Sequence, residues 1–89
     1  MPFNPLRVPK RLRKKLRNKP ESTRRAIARC LKRLQENPHY PSLRTKKMEG
    51  RGGVVFESRA SQGDRVTWYW AGSRIIIEDH CKHDVIEGR

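Results

Sequence analysis

Four side chains in the second half of the chain are spaced so that they could bind an anion together. Glu57 and Arg59 belong to the alternating segment VVFESRA, and Arg65 and Tyr69 belong to the alternating segment RVTWYW. Because strand side chains alternate between two faces, these four should project from one face of a sheet. The two arginines would repel each other there unless Glu57 pairs with them or they share a bound phosphate.

A second set of reactive side chains is the segment HCKHD at residues 80–84. His80, Cys81, His83 and Asp84 are metal-ligand types, but their spacing matches no established zinc motif and the sequence has no second cluster. We therefore expect no metal site. The histidines could instead transfer protons at neutral pH, or they could be polar residues without a chemical role.

A run of cations lies in the connection at residues 38–53, directly before the alternating segments. Its members are Arg44, Lys46, Lys47 and Arg51. Such a run is usually a solvated loop, but its position beside the predicted strands favours phosphate contact by the group as a whole.

The aromatic side chains of RVTWYW divide between the two faces. Trp68 and Trp70 share the phase of Val66 and are predicted to lie in the core. Tyr69 shares the face of Arg65 and is therefore the better candidate for stacking on a nucleic-acid base.

The charge balance favours a polyanionic partner. The chain carries 22 Lys and Arg against 9 Asp and Glu, a formal net charge of +13. Residues 1–53 hold 17 of these cations and only 3 of the acids, so the positive field is almost entirely N-terminal. Nucleic acid is the first expectation, an anionic membrane surface the second and an acidic protein the third.

Size and composition predict one small domain over residues 1–89. Only 34% of the residues are hydrophobic, so a small core is expected and a stabilising partner is plausible. No apolar run approaches the ~20 residues that span a bilayer, and the N-terminus has no secretory signal. Two cysteines form no disulfide framework, so we expect buried or half-buried thiols in a reducing cytoplasm.

The periodicity changes from helical to strand-like along the chain. Leu12 and Leu16 predict a first helix within residues 10–18, and a second amphipathic helix ends at Asn37. The apolar stripe of that second helix consists of Ile27, Leu31 and Leu34. Strands are predicted at residues 54–60, 65–70 and 74–79. We therefore predict an α+β fold: two N-terminal antiparallel helices packed on a small twisted antiparallel β-sheet.

Four segments in this order resemble the RelE/ParE toxin superfamily of bacterial type II toxin–antitoxin modules. They are NPHYPSLRTKKMEG, VFESRAS, DRVTWYW and HCKHD, and the resemblance covers residues 21–86. It implies a RelE-like fold and a ribosome-dependent mRNA endoribonuclease that uses the RNA 2′-hydroxyl as nucleophile, without a metal or other cofactor. It also implies a cognate acidic antitoxin, bound in a toxin–antitoxin hetero-oligomer, and action in the cytoplasm on mRNA at the ribosome.

The same resemblance implies roles for individual side chains. The residues that match the family's motifs are Lys46, Lys47, Glu57, Arg59, Arg65, His83 and Asp84. Arg59 and Arg65 would hold the scissile phosphate. His83 would act as general acid or base, with Glu57 or His80 opposite it.

Three departures from the family pattern are visible. Asp64 stands where a tyrosine or another neutral residue often precedes the arginine, and Cys81-Lys82 replaces the more usual Val-Gly. The family's N-terminal strand is not visible in MPFNPLRVP, so the sheet is either one strand short or that strand is disguised.

Two other functions are compatible with the sequence. A ParE-like inhibitor of DNA gyrase would share the fold but need no acid–base pair, so the His83-Asp84 ending counts against it. A non-catalytic RNA- or protein-binding module of the same fold would be held together by its partner.

Overall fold

The computed structural model of the protein describes residues 3–50 and 52–82. In chain order its elements are β1 (Leu6–Arg7), α1 (Lys10–Arg17), α2 (Glu21–Glu36), a 3₁₀ helix (Pro41–Leu43), β2 (Lys46–Gly50), β3 (Gly53–Arg59), β4 (Asp64–Ala71) and β5 (Arg74–Lys82). Within the described residues, neither α-helix has the length and apolar character needed to cross a membrane.

Proline determines where both α-helices begin. Pro9 precedes α1 and Pro20 precedes α2, and each has the extended backbone that leads a chain into its first helical turn. The second helix ends where the Asn37 N–H donates to the Arg33 carbonyl at 2.7 Å and the backbone of Asn37 becomes extended. Both helices lie where the periodicity predicts them.

The five strands form one sheet in the order β1-β5-β4-β3-β2. Strands β2 to β5 pair antiparallel in succession, and β1 pairs parallel with β5. The helices cover one face, which we call the inner face, and the opposite face is the outer face. The core between helices and inner face comprises Leu12, Ile27, Cys30, Leu34, Leu43, Val66, Trp68, Ile75 and Ile77. The predicted α+β class with two N-terminal helices is confirmed.

Two strands went undetected in the sequence because neighbours, not apolar alternation, hold them in place. The N-terminal strand β1 has only two residues, and its pairing is extended by a hydrogen bond from the Ile75 N–H to the Pro5 carbonyl at 2.8 Å. The strand β2 reads KKMEG and lies within the predicted connection. Both are edge strands of the sheet, so they need no apolar residues on both sides.

A β-bulge changes the phase of β5. Thr67 pairs with Asp79 and Trp68 pairs with Ile77, so Glu78 is an extra residue on β5. Before the bulge Ile77 faces the core, and after it His80 does, with 3% of its surface exposed. Without the bulge, Asp79 and not His80 would face the helices.

The two tryptophans of β4 have different environments. Trp68 is fully buried, as predicted. Trp70 was expected in the core, but 39% of its surface is exposed. It lies one residue from the end of β4 and meets Trp68 edge-on, with ring centroids 5.6 Å apart. Same-face alternation is therefore not enough for burial at the end of a strand.

The cysteines are buried and half-buried, as the sequence predicts. Burial in the core raises the pKa of Cys30 to about 12, against a lesser lowering by Arg33. Burial also raises the pKa of Cys81, and the charges of Glu57 and Asp79 raise it further.

These thiols should react slowly while the protein is folded, because the thiolate is the reactive form. At pH 8 we expect iodoacetamide to alkylate Cys30 about 1,000-fold more slowly in the native than in the urea-unfolded protein. Cys81 should react before Cys30. Mass spectrometry of quenched samples measures both alkylation rates. In the Cys81→Ser variant, Cys30 is the cysteine that remains to be labelled. Rapid native labelling of Cys30 would contradict its placement in the core.

Candidate active site

Five charged side chains line a cavity of about 230 Å³ on the outer face. They are Arg44, Lys46, Glu57, Arg59 and Arg65. Four of the five are cations, and all five were singled out from the sequence. We call this depression the outer-face cavity.

Strand register explains why these side chains meet. Lys46 lies opposite Glu57 across β2 and β3, and Arg59 lies opposite Arg65 across β3 and β4. Directly paired residues project from the same face of a sheet. Three neighbouring strands thus deliver four charges to one patch.

Glu57 is the carboxylate of the cavity and is largely buried, with 9% of its surface exposed. Its Oε1 lies 3.6 Å from the Nζ of Lys46, whose side chain is mostly exposed. That distance is an ion pair without a close hydrogen bond. Glu57 thus contributes a largely buried negative charge to the cavity, beside the exposed cation of Lys46.

Arg65 is held by backbone carbonyls, and only 6% of its surface is exposed. Its Nη1 donates to the carbonyl oxygens of Ser61 at 2.8 Å, Gln62 at 3.1 Å and Asp64 at 3.2 Å. Among the described residues, all hydrogen bonds of this guanidinium use Nη1. The Nε–Nη2 edge is therefore available for the paired contacts that arginine makes with phosphate.

Arg59 has a buried donor that the described part of the chain leaves unpaired. Its Nε has no hydrogen-bond partner there. An unsatisfied buried donor costs about 1–3 kcal/mol, and like charges directly opposite on a sheet add repulsion. A phosphate bound between Arg59 and Arg65 would reduce the repulsion between them.

Arg44 has a left-handed backbone, with φ 48° and ψ 45°. This conformation costs roughly 1–2 kcal/mol for a residue other than glycine. It ends the 3₁₀ helix and redirects the chain into β2. The next residue is Thr45, whose side chain anchors this bend.

A chain of side-chain hydrogen bonds connects that bend to the core. The Trp68 Nε1–H donates to Ser58 Oγ at 2.9 Å, and the Thr45 hydroxyl donates to the Pro38 carbonyl at 2.7 Å. The Thr45 and Ser58 hydroxyls lie 2.7 Å apart. Since Thr45 uses its proton on Pro38, Ser58 donates to Thr45. These hydrogen bonds connect Thr45, the residue after Arg44, to the buried Trp68.

The other predicted site residues that the structure describes do not line the cavity. Lys47 pairs with Phe56, whose ring stacks on Trp68, so Lys47 belongs to the inner face. Tyr69 is on the outer face and 37% exposed, but it lines neighbouring depressions nearer the other end of β4. Arg51, His83 and Asp84 lie outside the described residues.

His80 does not fit the acid–base role implied by the sequence resemblance. It faces the inner side of the sheet, and its Nε2 lies 2.8 Å from Asp64 Oδ1. The bulge at Glu78 is the physical reason, because it moves His80 to the buried phase of β5. Within residues 3–50 and 52–82, no group of three or more His, Cys, Asp or Glu could hold a metal ion.

Asp64 is a functional candidate that sequence reasoning noted only as a departure. Burial raises its pKa, but hydrogen bonds from His80, Ser61 and Lys82 outweigh that and lower the pKa below its ordinary value. The available signal was an acidic residue closing the turn SQGD directly before Arg65.

The lowered pKa of Asp64 predicts acid sensitivity. Its stabilising contribution is fully present above the ordinary carboxyl pKa near 4 and is lost as the pH falls through the lower folded value. At pH 7, Asp64→Asn should cost about 1.5–3 kcal/mol, since it removes charge-assisted hydrogen bonds. Urea unfolding between pH 3 and 7 measures the free energy of unfolding of Asp64→Asn and wild type. Glu49→Gln, an exposed change on β2, is the control, and equal pH slopes for Asp64→Asn and wild type would contradict the assignment.

Sequence comparisons find no match, whereas structural comparisons find proteins with the same fold. No family model matches the chain, and no curated protein sequence matches it. RelE–RelB complex structures from archaea are similar: that of Pyrococcus horikoshii OT3 gives a TM-score of 0.73 at 21% identity over 92% of this chain and 96% of that chain.

Two further solved structures give the same result. The YoeB/ParE toxin from Agrobacterium tumefaciens gives a TM-score of 0.68 at 12% identity, over 89% of this chain and 98% of that one. The RelB–RelE antitoxin–toxin complex from Methanococcus jannaschii gives 0.59 at 17% identity, over 91% and 94%. The chain therefore has the RelE-like fold that its sequence resemblance implied.

Proposed function

We propose that this chain is the toxin of a toxin–antitoxin pair and that it cleaves mRNA on the ribosome. The observation that carries the proposal is the outer-face cavity, where four cations surround one buried carboxylate. Cations match a phosphate and its transition state, and a carboxylate can accept a proton. The fold shared with RelE and YoeB toxins supports the toxin role.

The proposed reaction uses the ribose next to the scissile phosphate. Glu57 accepts the proton of the 2′-hydroxyl as its oxygen attacks phosphorus. The bond from phosphorus to the 5′-oxygen then breaks and leaves a 2′,3′-cyclic phosphate, and a general acid protonates the departing 5′-oxygen. Arg59 and Arg65 stabilise the charge that accumulates on the phosphorane.

We assign the general acid to His83, with Asp84 beside it. The described chain ends at Lys82, whose Nζ lies 3.3 Å from Asp64 Oδ1, next to the arginine of the cavity. Cys81, two residues before His83 in the sequence, pairs with Arg65 across β4 and β5. Histidine suits the role because its ordinary pKa allows proton transfer near pH 7.

Product analysis on translating ribosomes tests the proposal. Purified protein is added to a reconstituted translation reaction, and the RNA ends are mapped. We expect cuts within the message that leave 2′,3′-cyclic phosphate and 5′-hydroxyl ends. Intact message, with the protein folded and in excess over ribosomes, would reject the ribonuclease. A DNA gyrase supercoiling assay on the same sample then tests the alternative function, inhibition of DNA gyrase.

The run of cations at residues 38–53 is proposed to bind the RNA backbone. Arg44 and Lys46 line the cavity. Arg51 is included from its place in the sequence, and Lys47, which is exposed on the inner face, would contact RNA outside the cavity. Each phosphate contact makes the slope of log affinity against log salt more negative by about 0.7 for a single strand. The N-terminal excess of positive charge would attract the protein to the RNA-rich ribosome.

Tyr69 is proposed to stack on a base of the bound RNA. Tyr69→Ala should weaken binding of a single-stranded RNA by about 1–3 kcal/mol, whereas Tyr69→Phe keeps the ring and should bind like wild type. Fluorescence anisotropy with a labelled oligonucleotide measures both. Equal losses for the two variants would point to the hydroxyl and contradict stacking.

An acidic antitoxin is the proposed protein partner. A chain with a net charge of +13 favours such a partner, and two of the structural neighbours are complexes with RelB. A small acidic protein encoded beside this gene should co-purify with the chain and restore growth when co-expressed. Growth arrest that persists despite its expression would argue against that protein as the partner.

A further inference from the structure

We propose that Asp64 and His80 are positioning residues that orient Arg65 toward the scissile phosphate. This rests on the proposed function, because it names residues that act through the cavity arginine. Neither side chain lines the outer-face cavity. Their effect would pass through the turn between β3 and β4.

The turn between β3 and β4 holds the guanidinium of Arg65 through hydrogen bonds. Three carbonyls, from Ser61, Gln62 and Asp64, accept hydrogen bonds from the single nitrogen Nη1. An arginine side chain otherwise has many rotamers, and ordering it costs free energy. The position of the guanidinium therefore depends on where the turn places these carbonyl oxygens.

Asp64 forms hydrogen bonds across this turn. Its Oδ2 accepts a hydrogen bond from the Ser61 hydroxyl at 2.7 Å. Its carbonyl accepts from the N–H groups of Ala60 at 2.9 Å and Ser61 at 3.3 Å, and its own N–H donates to the Ser61 carbonyl at 3.3 Å. Two of the three residues that hold Arg65, Ser61 and Asp64, are thus bound to each other.

The Asp64 side chain is also bound to two residues of β5. Asp64 Oδ1 lies 2.8 Å from His80 Nε2 and 3.3 Å from Lys82 Nζ. An ionised carboxylate only accepts, so His80 Nε2 carries the proton and donates. The His80 ring is almost fully buried, and its Nδ1 has no partner among the described residues. Among the described residues, the His80 side chain therefore forms a hydrogen bond only with Asp64.

Burial makes this arrangement more than an incidental contact. A buried carboxylate is costly unless it is paired and hydrogen-bonded, and Asp64 is only 6% exposed. The bulge at Glu78 is what brings His80 to it. A neutral residue at position 64, as the family pattern often has, would avoid that cost but leave the turn unanchored.

The test is a double-mutant cycle between Asp64 and Arg65. Asp64→Asn should lower the rate constant of RNA cleavage about 10- to 100-fold, because small displacements of a catalytic group have effects of that size. In the Arg65→Ala background the same change should alter cleavage less than about twofold, since no arginine remains to be positioned. His80→Gln should behave like Asp64→Asn.

Loss of the fold is separated from loss of position by two further variants. Ser61→Ala removes only the hydroxyl bond to Asp64 and should lower cleavage several-fold in wild type and not in Arg65→Ala. Asp79→Asn is the matched control, because Asp79 also accepts hydrogen bonds on β5, from Lys15 and the His80 N–H, at 2.8 Å each. It should destabilise the protein without reducing cleavage below its melting temperature.

Equal fold-losses for Asp64→Asn in both backgrounds would overturn the proposal, since they would mark a general structural effect. If wild type cleaves no RNA, the proposed function fails, but the cycle is still measurable. Binding of a single-stranded RNA oligonucleotide then replaces cleavage. Coupling in those dissociation constants would support positioning, and its absence would reject it.

Discussion

Replacing Glu57 with glutamine is expected to lower the rate constant for RNA cleavage by about 10²–10⁴, the usual contribution of a positioned acid or base. Glutamine keeps the size of the side chain but cannot accept the 2′-hydroxyl proton. Glu57 is the only carboxylate among the residues that line the outer-face cavity in the described part of the chain. None of the other four described residues that line the cavity is a carboxylate, so none of them can take over this proton transfer.

The same substitution should strengthen RNA binding. The Glu57 carboxylate repels a phosphate, so removing its charge leaves four cations unopposed in the cavity. Opposite changes in cleavage rate and affinity distinguish a lost base from a damaged binding site. Single-turnover cleavage and anisotropy titrations measure the two quantities separately.

Glu49→Gln is the matched control for this prediction. It makes the same chemical change on the adjacent strand β2, at an exposed residue that does not line the outer-face cavity. It should leave cleavage unchanged. If Glu57→Gln retained cleavage within about threefold of wild type, proton transfer would have to be assigned elsewhere.

Replacing Arg65 with alanine is expected to reduce cleavage by about 10²–10³, the effect of removing one preorganised donor from a transition state. Arg65 can meet two phosphate oxygens through its Nε–Nη2 edge while three carbonyls hold its Nη1. Arg65→Lys keeps the charge but loses that planar fork. We therefore expect lysine to restore only part of the loss.

Arg29→Ala is the control for charge alone. Arg29 is an exposed cation on α2 that does not line the outer-face cavity, so its loss should weaken RNA association slightly and leave single-turnover cleavage unchanged. Thermal unfolding of each variant sets a temperature at which all are folded. Cleavage by Arg65→Ala equal to that of Arg29→Ala would show that Arg65 contributes only to the overall field.

Much of the candidate site was predictable from strand alternation. The spacing of Glu57, Arg59 and Arg65 places all three on one face, because the period of a strand is two. The structure puts them in one cavity with Arg44 and Lys46. Composition also indicated the thiol environments and the absence of an extensive core.

Alternation failed where the sheet is irregular or ends. A bulge inserts one residue, so every later side chain on β5 changes face, and His80 moved from a candidate acid–base group to a buried partner of Asp64. Trp70 has the phase of Trp68 but remains exposed near the end of its strand. Neither bulges nor strand ends have a periodic signal in a single sequence.

The sequence by itself determined the α+β class, the basic field and the face that carries the outer-face cavity, because these follow from local periodicity and charge. Only the tertiary structure decided the two edge strands, the inward turn of His80 and the carbonyl grip on Arg65. The carbonyls that hold Arg65 are only one to four residues away in the chain, but their positions depend on how the turn between β3 and β4 folds. The pairing of β1 with β5 and the contact of His80 with Asp64 join residues distant in the chain. Such pairs form only when neighbouring strands set the register, which no local pattern of residues encodes.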